Sequence, residues 1–182
     1  MPSPQFLRLP AVKQDKVLSA LFHEFTHYSL ANAQVARIVK DAGIARGAFY
    51  NYFADLEDAY SYLFAHEMKE VHQPLWLNHK RQLSADDYLQ QTTLFLKSVN
   101  RQKLRQLLIF HYQTNAGLLR QIKGGQRWLP PEKEATPRQW ATKTLIHQAI
   151  REAILNPRAE EQILRKLKVV LNLLEGGSLK CF

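Results

Sequence analysis

Apolar residues return at helical spacing along nearly all of this 182-residue chain, and that periodicity limits the fold more than any other feature. Val17, Leu18, Leu21, Phe22 and Phe25 make a broad stripe on one helix. Val35, Ile38, Val39 and Ala42 follow i, i+3, i+4, i+7 on a short second helix, with Asn32 as its expected cap and Gly43 as its stop. A third short helix carries Phe49, Tyr50 and Phe53. Asp55 then reads as the N-cap of a fourth helix reaching about Val71, with Glu57 and Asp58 in its first turn and Pro74 as its limit. Ser84 to Asp87 resembles a capping box that starts the next helix, and another is expected over Gln102–Lys123, stopping at Gly124-Gly125. Residues 124–135, with Pro130-Pro131, read as a loop. Thr136-Pro137-Arg138-Gln139 signals a new helix that ends near Asn156-Pro157, and a last one runs to Gly176-Gly177. With only seven glycines and eight prolines, the expected class is all-α rather than a turn-rich sheet.

Bulk properties narrow the setting. No stretch approaches the roughly 20 apolar residues that span a bilayer, and the start of the chain has no secretory core. Cytoplasm is therefore the expected location, with no membrane partner. The single cysteine, Cys181, leaves no internal disulfide and no cysteine-based metal site. A net charge of +9 invites a nucleic-acid reading, but its distribution does not locate a binding face. Through Tyr60, the bases Arg8, Lys13, Lys16, Arg37, Lys40 and Arg46 balance the acids Asp15, Glu24, Asp41, Asp55, Glu57 and Asp58. The excess lies downstream, where Lys97, Arg101, Lys103, Arg105, Arg120, Lys123 and Arg127 form a basic stretch: either a wet helix face or a site for an anion.

The pattern of the first three helices carries the functional reading. Two short helices joined by Gly43-Ile44-Ala45, with a long helix packed across them, can present the last short helix to a major groove. Ile38, Ala42, Ile44, Phe49 and Phe53 would lock the pair, leaving Arg46, Ala48, Tyr50, Asn51 and Tyr52 on the remaining face. Arg and Tyr bond phosphates, Ala touches a thymine methyl, and Asn pairs with adenine or reaches the backbone. Gly47 lets the helix approach DNA closely.

The string from Val35 to Phe53, VARIVKDAGIARGAFYNYF, resembles the DNA-binding helices of TetR-family transcriptional repressors. Helix one and the start of the fourth helix extend the resemblance to about the first third of the chain. Ala45 replaces the family's serine or threonine cap, a bond worth ~1 kcal/mol, and Leu56 replaces a common lysine. The resemblance implies a three-helix helix-turn-helix head over residues 1–54 and a helical effector-binding and dimerisation domain over 55–182. It implies double-stranded operator DNA as partner, contacted by Arg46, Gly47, Ala48, Tyr50, Asn51 and Tyr52. It also implies repression relieved by a small molecule of unspecified identity. The alternative is a helical protein-interaction module that keeps the fold without binding an operator.

The last two helices, Pro137–Leu155 and Pro157–Glu175, are apolar over more than one face and are the expected homodimer surface. An effector cavity is expected between the helices around Tyr88–Val99 and Leu104–Leu119, with Phe95, Phe110, Tyr112 and Trp128 as possible lining and residues 124–135 as a gate. His23 and His27 stand four apart, a metal-compatible spacing, but lack a third ligand nearby in sequence and read as solvated or interhelical. The remaining histidines are scattered. No catalytic constellation, cofactor motif or metal set emerges, so the chain reads as a non-enzyme.

Overall fold

A computed structural model describes residues 2–72, 83–101, 104–122 and 136–176. The expected loop at 124–135, its gating role, Pro74, Trp128, Lys103, Lys123, Arg127 and Cys181 lie outside these residues. Among the described residues the regular structure is all helical. In chain order the helices are α1 (Pro4–Leu7), α2 (Ala11–His27), α3 (Val35–Ala42), α4 (Arg46–Tyr52), α5 (Leu56–His72) and α6 (Ala85–Arg101). They continue as α7 (Arg105–Phe110), α8 (Ala116–Ile122), α9 (Pro137–Leu155) and α10 (Glu160–Gly176).

The chain forms two compact units. The first comprises residues 1–70 and 104–126, and the second residues 71–103 and 127–182. The head thus shares a unit with residues 55–70 and 104–126. A functional boundary at 54/55 is a separate matter from this packing division.

In the first unit, α2 packs on α3 and α7, and α4 packs on α1 and α3. Val17, Ala20, Leu21 and Phe25 of α2 are buried, as the apolar stripe requires, and Phe25 meets Tyr60 edge-on at 5.1 Å. α5 starts where Asp55 Oδ1 accepts the Asp58 N–H, while Asp58 Oδ2 accepts the Ala54 N–H. The two carboxylates together satisfy two backbone donors at the helix entrance. The helix expected over Gln102–Lys123 is interrupted by a π-helical turn, His111–Asn115, between α7 and α8. Such a turn inserts extra backbone into the α-helical register. Here it holds His111 against Phe64 at 4.0 Å and within 3.0 Å of the Tyr60 hydroxyl. It also places Asn115 Oδ1 on the Leu30 N–H at 3.0 Å, on the 3₁₀ turn that joins α2 to α3. Burial pushes the Tyr60 hydroxyl well above the usual tyrosine range, with Asn115 acting in the opposite sense.

In the second unit, α6, α9 and α10 pack on one another. Ala85, Ala149, Leu167 and Leu171 centre a core flanked by Tyr88, Leu89, Leu145, Ile146 and Ile163. The capping box expected at Ser84–Asp87 is present, and Thr136 caps α9 as its start signal predicts. Ser84 Oγ accepts the Asp87 N–H, and Asp87 Oδ2 accepts the Ser84 N–H. Thr136 and Gln139 do the same for α9, with Pro137 at the first helical position. A 3₁₀ turn, Pro157–Ala159, separates α9 from α10, so the last helix begins at Glu160 rather than at Pro157.

Candidate nucleic-acid interface

The geometry of α4 follows from what flanks it. Gly43 ends α3 at φ +65°, a left-handed conformation that a side chain resists, and the chain turns into α4 through Ile44 and Ala45. Ala45 provides no side-chain cap, as its methyl group dictates. The α3 cap expected at Asn32 is not formed. The cap position is Gln34, while Asn32 lies in the 3₁₀ turn and donates its amide to Ser29. A buried carboxylate holds that entrance instead: Glu24 Oε1 accepts the Gln34 N–H at 2.7 Å.

Glu24 is only 2 % exposed and is the pivot of the head. Arg37 grips both of its oxygens through Nε, at 3.1 and 2.9 Å, and adds Nη2 on Oε1 at 2.6 Å. The guanidinium also lies 3.8 Å over the Tyr28 ring and donates to the Asn32 carbonyl. Its pKa is raised by the hydrogen bond to Glu24, burial opposing. This arrangement satisfies a charge that would otherwise be costly to bury, and it fixes α2 against α3. From the sequence alone both residues count only as balancing charge. The detectable signal was an acid set between Leu21 and Phe25 on the apolar stripe.

Phe49 and Phe53 face inward and are fully buried, with ring centroids 5.6 Å apart. Phe6 of α1 completes the cluster, 5.0 Å from Phe53 and 5.5 Å from Tyr62. This first helix was missed in the sequence, although Ser3-Pro4 is a cap followed by proline at the first helical position. Ser3 ties down the end of α4: its N–H donates to the Tyr52 carbonyl at 2.8 Å and its hydroxyl to the Asn51 carbonyl at 2.6 Å.

The six residues expected to meet DNA therefore lie on one helix but differ in freedom. Arg46, Gly47 and Asn51 are exposed, and Tyr50 is 50 % exposed, its ring braced edge-on by Phe49. Ala48 is half-buried. Tyr52 is also half-buried and leans on Phe6 at 5.6 Å, so part of its ring already serves the head. A Cβ added at Gly47 meets nothing within 4 Å, which leaves that position open to an approaching surface.

A short helix locked from beneath, exposing a mixed polar face beside a glycine-ended partner helix, defines a helix-turn-helix protein with a helical body. Residues 17–58 match the family of bacterial regulatory proteins named after tetR, and the chain has the fold of solved TetR-family transcriptional regulators. One such regulator, from Chloroflexus aurantiacus J-10-fl, is 19 % identical, with TM-score 0.53 over 96 % of this chain and 97 % of that one. The fatty acid degradation regulator FadR from Bacillus halodurans is 18 % identical, with TM-score 0.61 over 94 % and 99 %. The transcriptional regulator FadR from Bacillus subtilis, solved in complex with stearoyl-CoA, is 20 % identical, with TM-score 0.54 over 90 % and 98 %. No curated protein sequence matches the chain. No described helix is long and apolar enough to cross a membrane.

Proposed function

We propose that this chain binds double-stranded operator DNA as a homodimer, represses transcription, and is released by a small-molecule effector. The observation that carries the reading is the exposed face of α4, Arg46, Gly47, Tyr50 and Asn51, held rigidly over Phe49, Phe53 and Phe6. Rigid presentation is what groove reading needs, since base contacts discriminate only when donors and acceptors are already in register. Release follows if the effector binds one arrangement of the dimer better than the DNA-competent one.

An acylated coenzyme A is the first effector class to test. The support is the FadR of Bacillus subtilis with its stearoyl-CoA, together with this chain's basic stretch, which suits a phosphate-rich ligand.

The test begins by selecting bound genomic fragments with purified protein, then titrates the recovered operator across salt. Affinity should fall steeply as salt rises, because phosphate contacts release counterions. Stearoyl-CoA should lower operator affinity, while free coenzyme A should not. Absence of DNA binding even at low salt would instead favour a protein-interaction module, a reading to which the uncapped Ala45 also lends itself.

A further inference from the structure

The segment His23-Glu24-Phe25-Thr26-His27 near the end of α2 has the H-E-x-x-H spacing with which helices present two imidazoles to a zinc ion. Both rings lie on the solvent side of the helix, with centroids 4.4 Å apart. Zinc–nitrogen bonds of about 2.0–2.1 Å put each ring centroid ~3.2 Å from a shared metal, so two rings at right-angled to tetrahedral positions stand ~4.5–5.2 Å apart. The observed 4.4 Å falls just short of that range, so a small rotation of either exposed ring would bring the pair onto one ion.

The hydrogen bonds on the other ring nitrogens decide what the pair offers. His23 Nδ1 lies 2.8 Å from Asp41 Oδ2 on α3. His27 Nδ1 lies 2.7 Å from the His23 carbonyl oxygen. A carboxylate and a carbonyl can only accept, so Nδ1 is the donor in each ring, and Nε2 is the nitrogen left to offer a lone pair to a ligand. Metal-binding histidines are oriented by such partners, a carboxylate or a backbone carbonyl on the second ring nitrogen. Glu24, the residue that would act as general base in a zinc protease, is buried and held by Arg37 and the Gln34 N–H. The segment therefore offers two paired histidines without the base that hydrolysis would need. Among the described residues no group of three or more His, Cys, Asp or Glu side chains is placed to hold a metal, so water would complete the coordination.

We propose that His23 and His27, oriented by Asp41 and by the His23 carbonyl, form a site for a divalent late-transition-metal cation on the outer face of α2. Imidazole ligands suit zinc, copper and nickel, whereas magnesium and calcium prefer oxygen. Because His23 is joined to Asp41, a bound ion would also strengthen the link between α2 and α3.

The test uses tag-free, chelator-treated full-length protein titrated with Zn²⁺ or Cu²⁺ by calorimetry. One equivalent should bind, and Cu²⁺ should give a paramagnetic resonance spectrum with nitrogen couplings from two imidazoles. His27→Gln, an exposed change, should abolish that signature and the zinc-induced rise in Tm that binding to the folded state causes. Asp41→Asn should weaken binding about 10- to 100-fold without removing it. His147→Gln, in the other unit, should bind as the parent does. Unchanged binding in His27→Gln, unchanged affinity in Asp41→Asn, or no site-specific uptake of either metal would each overturn the proposal.

Discussion

At the residue scale, side chains on the same helix carry separable duties. Tyr50 meets Phe49 edge-on and is half exposed, so Tyr50→Phe keeps the ring contact and removes only the polar group. Operator affinity should fall roughly tenfold, equally on all sequences, as expected for loss of one phosphate bond. Changing Ala48 should instead alter base preference, because a small apolar residue there reads methyl groups and shape. Gly47→Glu should leave the Tm unchanged, since its Cβ has open space, yet abolish binding through repulsion from phosphate. Parent-like titrations for both Tyr50→Phe and Gly47→Glu would remove α4 from the interface. Glu67 of α5 gives a pH-dependent case. Burial raises its carboxyl pKa above the usual range, with Glu70 adding to the rise and His66 opposing it. The folded state then binds the proton more tightly than the unfolded state. Stability is lost as pH climbs from the unfolded pKa, about 4.3, through the raised folded value. Glu67→Gln should accordingly raise Tm at pH 7 and have little effect below pH ~4, a difference that melting curves at the two pH values would reveal.

At the scale of elements, short helices acquire stability from the partners that hold their ends. α4 has seven residues and no side-chain N-cap, too little to persist alone in water. Its C-terminal carbonyls are taken by Ser3, and its buried edge rests on Phe6. Phe6→Ala should cost the head about 3–5 kcal/mol, the range for emptying a fully buried aromatic site, and should weaken operator binding with it. If chemical denaturation finds the loss below 1 kcal/mol, α1 is not a brace for the reading helix. The π-helical turn makes a second attachment through Asn115 Oδ1 on the Leu30 N–H. Asn115→Leu would leave that buried donor without its acceptor, at about 1–3 kcal/mol. Amide exchange at Leu30 should quicken accordingly, which hydrogen-exchange measurements can read.

At the scale of the whole molecule, the proposed homodimer turns on which apolar face of α10 is already used. The periodic stripe includes Leu167 and Leu171, and both belong to the core with Ala85 and Ala149. Leu171 is 3 % exposed, so Leu171→Glu would disrupt folding rather than report on association. Val169 and Leu173, four apart on another face, are 59 % and 68 % exposed. On α9, Trp140 and Leu155 are exposed too. These residues are the better candidates for a two-fold mate, since an isologous contact needs an apolar patch that its own unit has not covered. Leu173→Glu should convert a dimer to a folded monomer in sedimentation and reduce operator affinity by losing the second head. A folded, unaltered dimer would move the interface elsewhere.

Much of this architecture was legible before any coordinates. Gly43, Asp55, Ser84 and Thr136 mark element ends because capping depends on a few neighbouring atoms and hence on local sequence. The inward direction of Phe49 and Phe53 was readable for the same reason, since helical spacing alone puts them on one side. The tertiary structure decided what depends on distant partners. It capped α3 with Glu24, ten residues before Gln34, and passed over the nearby Asn32. It placed Phe6 under α4 and committed part of Tyr52 to it. It joined Asp41 to His23 across two helices, and it selected which of two apolar faces of α10 is buried. A periodic stripe reports only that a face needs cover. Which segment supplies that cover depends on contacts between residues far apart in the chain, and those form only when the helices pack.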